Sequence, residues 1–437
     1  MVQQPIQLSL QPLANMGTIA LPSARADSPQ AVRHIHLSYD NANSETSALK
    51  LILALEPGWE HSEGKIEFVR FTDGITNTLL KAVKRRPGCS EQQIDQESIL
   101  LRAYGKGTDI LIDRERETLS HSLLASKDLA PPLLARFDNG LMYKFIEGIV
   151  CAPEDLRRQE VWRGVAKRLG EWHARLPISA ISSEPSLHKP RTNGCTNGID
   201  KSGEDITPDK SVPNVWTVMQ KWIYALPAGT EAERLRQQSL QNELERSVKE
   251  LGDTPGIGGC GYVFSHCDLL SGNVIIQPST AAKPSDPTTS ECTVSFIDYE
   301  YATPAPAAFD IANHFAEWGG FDCDFGVLPT RSQRRDFLTH YLAAYKAHLA
   351  AADRAAVSSD AAERLFADID VFRGMPGFYW GIWALIQATI SQIDFDYASY
   401  AEVRLSEYWA WRAETEGSRA RGGEEMPVRE RRWAQEE

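Results

Sequence analysis

A polypeptide of 437 residues exceeds one small hydrophobic core and is typical of two lobes or domains. Its 46 Lys and Arg against 59 Asp and Glu give a formal net charge of −13, which argues against a general nucleic-acid or anionic-membrane binder. The 7 cysteines include no C-x-x-C pair, so we interpret them as reduced thiols of a cytoplasmic protein. No apolar run reaches membrane-span length, so we expect no stable membrane insertion and no secretory signal.

The first part of the chain reads as a tail followed by a small α+β lobe. Residues 1–30 are polar and aperiodic, and we predict disorder there. The small lobe is predicted over residues 31–148, with Gly74 in a strand-to-strand turn. Its predicted strands are 33–39, 66–70, 76–83, 98–104, 133–137 and 141–146, and its predicted helices are 44–55 and 113–124.

The second part, residues 149–411, is predicted to be a larger and mostly helical lobe. A helix over 153–176 carries an apolar face, helical sequence follows over 216–251, and the chain from Phe309 onward is again helical. The apolar face consists of Trp162, Val165, Leu169 and Trp172. Two polar insertions, 177–213 and 279–291, are predicted to be disordered, and 412–437 is a charged tail that we expect to be frayed.

The sequence at residues 266–273 has the spacing H-x-D-x-x-x-x-N. We expect a strand at 261–264 before it, a strand at 274–276 after it, and a third strand at 293–297 that ends on Asp298. Phosphotransferases use this arrangement to hold a hydroxyl nucleophile and Mg²⁺ around the end phosphate of ATP. The alternative without a catalytic role is a capped turn between two core strands. Such a turn does not require the fixed spacing from Asp268 to Asn273 together with the flanking strands and Asp298.

Each residue type at this motif suggests a role. Asp268 is our candidate for orienting or deprotonating the substrate hydroxyl, because a carboxylate accepts a proton. Asn273 and Asp298 are candidates for holding Mg²⁺, since their oxygen atoms suit a hard cation. We interpret His266 as an internal hydrogen-bonding brace and Cys267 as a small filler in the loop.

Seven segments together resemble choline and ethanolamine kinases, and the resemblance spans about residues 65–411 apart from the two insertions. The segments are 72–81, 100–105, 139–147, 266–273, 296–302, 309–318 and 380–387. The resemblance implies a bilobal protein-kinase-like fold, with an antiparallel sheet in the small N-terminal lobe and ATP and Mg²⁺ in the cleft.

The resemblance also places a nucleotide site and an amine site. Residues expected at the nucleotide are Gly74, Thr76, Asn77 and Thr78 at the phosphates, Arg102 paired with Glu117, and Lys144, Phe145 and Ile146 at the adenine. Residues expected at the amine are Trp380 and Trp383, with acidic charge from Glu317 and Asp394. By themselves two tryptophans three residues apart are more typical of core packing, and Glu300 suits a metal, a substrate or a structural hydrogen bond equally well.

The reaction implied is phosphorylation of ethanolamine by ATP, the first step of the CDP-ethanolamine route to phosphatidylethanolamine. The ethanolamine branch is favoured by residues 74–77, 268–273, 297–302 and 393–396, whereas Trp318 favours choline kinases. A choline or dual kinase is therefore the first alternative. Another small-molecule kinase or a kinase-like binding module is more distant, and the intact Asp268, Asn273 and Asp298 argue against the module. The sequence leaves the oligomeric state open.

Overall fold

The computed structural model describes residues 32–71, 77–105, 107–181, 206–207, 209–278, 292–391 and 393–437. The predicted tail at 1–30 lies outside the described residues, as do Gly74 and Thr76. The predicted insertion at 279–291 and most of the one at 177–213 also lie outside them.

A six-stranded sheet forms the centre of the first part of the chain. The elements of this part are β1 (His34–Ile35), α1 (Ser44–Leu55), α2 (Gly58–His61), β2 (Lys65–Phe71), β3 (Asn77–Arg85), α3 (Glu91–Glu97), β4 (Ile99–Tyr104), α4 (Arg114–Ser126), β5 (Leu133–Phe137) and β6 (Gly140–Lys144). The strand order is β1-β5-β6-β4-β3-β2. The sheet is antiparallel except for β1, which pairs in parallel with β5 and is much shorter than the predicted strand 33–39.

The sheet has a hydrophobic core of its own. The apolar face of α1 contributes Leu51 and Ile52, which pack with Leu101 of β4 and Met142 of β6. Helix α4 begins at an N-cap, because the Asp113 carboxylate accepts the backbone N–H groups of the first turn. This cap fixes the start of the helix that carries Glu117, which contacts Arg102 of β4.

The larger part of the chain is mostly helical around two small sheets. Its elements are β7 (Ile149–Val150), α5 (Gln159–Arg175), α6 (Val215–Ala225), α7 (Glu231–Leu251), β8 (Val263–Ser265), β9 (Val274–Ile276), β10 (Val294–Phe296), β11 (Thr303–Ala305), α8 (Ala307–Ala316), α9 (Arg331–His348), α10 (Ala351–Ala356), α11 (Ala361–Phe372), α12 (Met375–Ile390), α13 (Tyr397–Thr415), α14 (Ser418–Gly422) and α15 (Val428–Ala434). One sheet has the order β10-β9-β7, and in the other β11 pairs with β8.

The predicted helical faces are largely as expected, with two changes. The apolar residues of α5 are buried in the larger core, as predicted. However, α5 begins at Gln159 rather than near 153, because Arg158 is extended. The helical sequence predicted over 216–251 forms two helices, because Pro227 and Gly229 separate them and Thr230 caps α7.

Residues 412–437 were predicted to be a frayed tail, and that prediction is wrong. This segment forms α14 and α15, and three residues of α15 are buried: Arg429, Glu430 and Trp433. The Trp433 indole N–H donates to Asp370, and its carbonyl accepts both terminal nitrogens of Arg334 at 3.1 Å. The charges that suggested a solvated tail are therefore used for packing. Across the described ranges, no helix is both long and apolar enough to cross a membrane.

Candidate functional site

The loop between β8 and β9 brings Asp268 and Asn273 together. The Asn273 Nδ2 donates to the Asp268 carbonyl at 2.7 Å and to its carboxylate Oδ2 at 3.1 Å. The backbone N–H of Ile297 donates to the Asn273 carbonyl at 3.0 Å, which ties the end of β10 to the same loop. Asp298 follows directly and has a left-handed backbone with φ of 65°. Such strained non-glycine positions are concentrated at functional sites.

The buried carboxylate of Asp310 on α8 binds the start of the loop between β8 and β9. The Asp310 carboxylate accepts the backbone N–H of His266 at 2.9 Å and that of Cys267 at 2.8 Å. The Nε2 of His173 donates to the same carboxylate at 2.9 Å. Cys267 has a φ of 62°, so three charge-assisted bonds hold a strained turn just before Asp268.

Two further side chains of α8 bind the loop carbonyls. The Asn313 Nδ2 donates to the Cys267 carbonyl at 2.9 Å, and the His314 Nδ1 donates to the Leu269 carbonyl at 2.8 Å. The carbonyls on both sides of Asp268 are therefore fixed by one helix. Trp380 adds a further layer, because its indole N–H donates to the Asn313 Oδ1 at 2.9 Å.

His266 braces the loop rather than transferring protons. It is fully buried, and burial lowers its pKa to about 4, so the ring is neutral near pH 7. Its Nε2 donates to the Ile297 carbonyl at 3.1 Å, and its Nδ1 accepts the Asp268 N–H at 3.3 Å. Cys267 is also fully buried, and burial raises the pKa of its thiol, which fits a small filler.

The environment of Asp268 makes its carboxylate a stronger base than a free aspartate. The residue is 7% exposed. Burial raises the pKa of Asp268 well above its ordinary value of 3.8, and the charges of Asp298, Glu317 and Glu300 raise it further, while the bond from Asn273 lowers it. A raised carboxyl pKa is the tuning expected of a group that accepts a proton during catalysis.

A buried ion-pair network joins the sheet of the small part to the loop after β10. Arg102 on β4 contacts Glu117 on α4 at 2.9 Å and Asp298 at 2.7 Å, and it also pairs with Glu300. Arg114 contacts Glu117 at 2.9 Å and Glu300 at 3.2 Å. The predicted contact between Arg102 and Glu117 is therefore present, within a larger set of three carboxylates and two guanidinium groups.

The residues at this place fit a hard divalent cation. With Asp268 included, the cluster holds four carboxylates against two guanidinium groups, a formal surplus of two negative charges. Burial raises the pKa of both Glu117 and Glu300, and a neighbouring carboxylate raises each further, although Arg102 lowers both. Within the described part of the chain, Asn273 uses only Nδ2 for side-chain hydrogen bonds. Its Oδ1 and the carboxylate oxygens are the ligand types that Mg²⁺ prefers.

The described residues of the predicted phosphate loop lie at the start of β3. The Asn77 Nδ2 donates to the Glu300 Oε2 at 3.1 Å, so this residue joins the two parts of the chain through the ion-pair network. Thr78 pairs with Ala103 of β4 and is half-buried. Both therefore lie at the end of the sheet nearest to Asp298, where phosphates are expected.

The predicted adenine segment is the connection between β6 and β7. The backbone N–H of Lys144 donates to the Pro132 carbonyl, and that of Phe145 donates to the Ser98 carbonyl, each at 3.1 Å. Ile146, in contrast, has no backbone hydrogen bond to another described residue through its N–H. Of the three predicted residues, Ile146 thus has its N–H free for a ligand.

The two predicted amine-site tryptophans lie in a group of four aromatic rings. Trp380 and Trp383 have ring centroids 5.4 Å apart and nearly perpendicular planes. Tyr301 lies 5.7 Å from Trp380 and accepts the Trp383 indole N–H at 2.8 Å. Tyr397 lies 5.7 Å from Trp383. Because both indole N–H groups are occupied, only ring faces and edges remain for a ligand.

The two acidic residues predicted at the amine differ in position. Glu317 is buried directly after α8, near enough to Asp268 to raise that residue's pKa, and it pairs with Arg404 at 3.3 Å. Asp394 is exposed in the connection between α12 and α13, and it makes no ion pair with any described residue. The structure thus places Glu317 near the loop that carries Asp268 and Asp394 at the surface.

Trp318, the residue that favoured choline kinases, is part of the core. It is 1% exposed, stacks on Trp162 at 5.6 Å and donates its indole N–H to His314. Trp318 therefore packs against α5 and α8.

Sequence reasoning missed the residues that hold the loop: Asp310, Asn313 and His314. A signal was present, because these are polar residues at positions three and four apart in an otherwise apolar helix, and that spacing places them on one face. Tyr301 and Arg114 were also missed, and each has a partner far away in the sequence, Trp383 for Tyr301 and Glu300 for Arg114.

Comparison with known proteins identifies the family of the chain. The sequence model of the Choline/ethanolamine kinase family matches residues 68–409. The chain is 33% identical to the probable ethanolamine kinase of Nematostella vectensis, over 87% of this chain and 96% of that protein. It is 32% identical to mouse ethanolamine kinase 1, over 84% of this chain and 89% of that protein.

Solved structures share the fold. An ethanolamine kinase of Plasmodium vivax matches with a TM-score of 0.60 and 25% identity, over 85% of this chain and 90% of that one. A choline kinase of Cryptosporidium parvum matches with a TM-score of 0.58 and 20% identity, over 85% of this chain and 97% of that one, which shows the protein-kinase-like fold alone. With the family match covering most of its length, the chain belongs to the choline/ethanolamine kinase family.

Proposed function

We propose that this protein transfers the γ-phosphoryl group of ATP to the hydroxyl of ethanolamine, giving ADP and phosphoethanolamine. The similar proteins of Nematostella vectensis and mouse are named ethanolamine kinases, and they match 84% or more of this chain. The observation that carries the proposal is the buried Asp268, which is bonded to Asn273 and lies in a loop that Asn313 links to Trp380.

Asp268 has the position and basicity of the group that receives the proton. The ethanolamine oxygen forms a bond to the γ-phosphorus as the bond from that phosphorus to the ADP oxygen breaks, and the hydroxyl proton passes to the Asp268 carboxylate. Its raised pKa brings it closer to the operating pH, where a general base is most effective. Asp310, Asn313 and His314 hold the loop so that this carboxylate has one orientation.

We include Mg²⁺ and ATP in the proposal. Asn273 and Asp298 would hold the cation, which supplies charge neutralisation for the β- and γ-phosphates when bound. Arg102, positioned by Glu117, adds a fixed positive charge between β4 and the loop after β10. Ile146 offers its backbone N–H to the adenine at the connection between the two parts.

The amine would lie among Trp380, Trp383, Tyr301 and Tyr397, with Glu317 nearby. An ammonium group over aromatic faces gains roughly 0.5–2 kcal/mol of cation–π attraction. Glu317 adds an acceptor for the three N–H donors of ethanolamine, although Arg404 shares its carboxylate. The exposed position of Asp394 makes it the weakest member of the proposed amine set, where it would act through long-range charge.

A choline-directed or dual activity is the second candidate. The aromatic group favours it, because quaternary ammonium ions are bound by aromatic rings without hydrogen-bond acceptors. Ethanolamine is preferred as the first candidate, because the buried Glu317 carboxylate is an acceptor that choline cannot use.

The proposed place of the reaction is the first step of the CDP-ethanolamine route to phosphatidylethanolamine, in the cytoplasm. The six cysteines within the described ranges are all free thiols, which fits a reducing compartment.

The experiment is a competition assay on the purified protein with Mg²⁺ and ATP. Ethanolamine and choline are supplied together at limiting concentration, and both phosphorylated products are quantified by ³¹P NMR. We expect phosphoethanolamine to predominate. Phosphocholine as the main product would establish the second candidate instead, and ATP hydrolysis that no amine accelerates would contradict both.

A further inference from the structure

A row of alternating buried charges connects the amine end of the site to the last helix of the chain. The row consists of Glu317, Arg404, Glu407, Arg429, Glu430 and Arg373. We refer to these six residues as the charge row. Five of them are buried and Arg373 is partly buried. With three acidic and three basic members the row is formally neutral, which is the condition under which buried charges are tolerated.

Arg404 and Glu407, the second and third members of the charge row, are each shared between two partners. Arg404 on α13 lies 3.3 Å from Glu317 through Nη1 and 3.2 Å from Glu407 through Nε. Glu407 in turn lies 3.4 Å from Arg429 on α15. The charge of Arg404 is therefore divided between Glu317 and Glu407, and Arg429 supplies Glu407 with a second cation.

The distant end of the charge row is fixed firmly to the fold. Arg429 donates to Glu430 at 2.9 Å and also to the Arg373 carbonyl. Glu430 is held by two nitrogens of Arg373, Nε at 2.9 Å and Nη2 at 2.8 Å. With Trp433 anchored to Asp370, helix α15 cannot shift without breaking several buried bonds.

Helix α15 lies outside the part of the chain that matches the family. The match ends at residue 409, whereas α15 spans Val428–Ala434. Glu317, Arg404 and Glu407 fall within the match, and Arg429 does not. The cation that completes the pairing of Glu407 therefore comes from a segment that the family match does not cover.

We propose that Arg429 is a positioning residue for the amine site, acting through Glu407 and Arg404 on Glu317. Without Arg429, Glu407 has Arg404 as its remaining cation in the row and draws its guanidinium away from Glu317. Glu317 then loses the contact that fixes its carboxylate beside the amine. The inference rests on the proposed function, in which Glu317 faces the ammonium group.

The first test compares Arg429→Met with Arg431→Met, a matched change of an exposed arginine on the same helix. In Arg429→Met we expect the KM for ethanolamine to rise about fivefold or more, with the KM for ATP within about twofold of the unaltered protein. Arg431→Met should leave both constants unchanged. Equal effects on the two substrates, or no effect in folded Arg429→Met, overturn the proposal.

A second variant distinguishes positioning from simple loss of packing. In Glu407→Gln/Arg429→Met both charges of the pair are removed, so Arg404 has no carboxylate competing with Glu317. We expect the ethanolamine KM to return to within about twofold of the unaltered protein, although the packing of Arg429 is still missing. A double variant as impaired as Arg429→Met overturns the proposal.

A substitute variant is needed if Arg429→Met does not fold. If Arg429→Met does not fold, Arg429→Gln is used, because it also removes the positive charge while its amide can still donate a hydrogen bond to Glu430. A rise in the ethanolamine KM alone then supports the proposal, and unchanged constants overturn it.

If the unaltered protein does not phosphorylate ethanolamine, the proposed function and the positioning role both fail, whereas an active protein with unresponsive variants refutes the positioning role alone.

Discussion

The guanidinium group of Arg102 lies 2.7 Å from the carboxylate of Asp298. A strand of the six-stranded sheet thus directly contacts the residue that we propose as a metal ligand. Both residues belong to one cluster with Glu117, Glu300 and Arg114. The side chains of Glu117 and Glu300 are buried. The contact makes the site and the packing of the two parts of the chain depend on the same charges.

Arg102→Met should therefore destabilise the protein as well as the site. The change takes one of two guanidinium partners from each of the buried carboxylates Glu117 and Glu300. Removing one partner of a buried ion pair costs about 3–5 kcal/mol of unfolding free energy. Arg85→Met is the matched control, because the ion pairs that Arg85 on β3 makes with described residues lie at the surface, where solvent screening leaves them little effect on stability. Urea denaturation measures both, and equal losses for the two variants would contradict the account of the cluster.

Asp310→Asn should weaken both stability and turnover, because one neutral oxygen cannot accept all the donors that meet this carboxylate. We expect a loss of about 3 kcal/mol in unfolding free energy. Burial would raise the pKa of Asp310, but the bond from His173 and the loop N–H groups hold it below 3.8. Since the folded pKa is depressed, the ionised group stabilises the fold above its unfolded pKa and loses this contribution as pH falls through the folded value.

The depressed pKa of Asp310 predicts how the stability difference changes with pH. The difference in unfolding free energy between the unaltered protein and Asp310→Asn should be constant from about pH 5 to 8 and should shrink below about pH 4. Urea denaturation at several pH values measures it. A difference that grows as the pH falls would show that Asp310 is not held ionised in the fold.

Much of this site could be predicted from sequence because the information is local. Asp268 and Asn273 share one short loop, and the strands around them follow from apolar runs bounded by polar residues. The contact between Arg102 and Glu117 was also accessible, because strand and helix follow one another along the chain.

The remainder depends on contacts between distant parts of the sequence. Asp310 acts on residues more than 40 positions earlier, and Glu300 meets Arg102 across almost 200 positions. The C-terminal segment was misread because its charge is high. Arg429 is paired with Glu407 of α13, and Glu430 with Arg373, which lies between α11 and α12. Composition alone cannot reveal a charge whose partner lies elsewhere.

Trp383→Phe should affect the amine more than the nucleotide. The variant keeps an aromatic ring but loses the larger indole face and its bond to Tyr301, so we expect the ethanolamine KM to rise about 2- to 30-fold. Trp409→Phe on the exposed face of α13 is the control and should change neither KM. A larger effect of Trp383→Phe on ATP than on ethanolamine would contradict the proposed amine pocket.

The pKa of Asp268 can be observed directly in the metal-free protein. Comparing carboxyl ¹³C NMR titrations of the unaltered protein and Asp268→Asn should show a group that titrates well above 3.8, because burial and nearby carboxylates disfavour its charge. Saturating Mg²⁺ should lower this midpoint, since a cation at Asn273 and Asp298 stabilises the ionised form. A midpoint at or below 3.8 would contradict the described environment of Asp268.

The most direct test of the central claim is the turnover of Asp268→Asn with Mg²⁺, ATP and ethanolamine, compared with the unaltered protein. The substitution keeps the size of the side chain and removes its capacity to accept the hydroxyl proton. We predict that kcat for phosphoethanolamine formation falls by roughly 10²-fold or more, while circular dichroism shows the same fold. Turnover close to that of the unaltered protein, in a folded variant, would contradict the assignment of Asp268 as the residue that activates the hydroxyl.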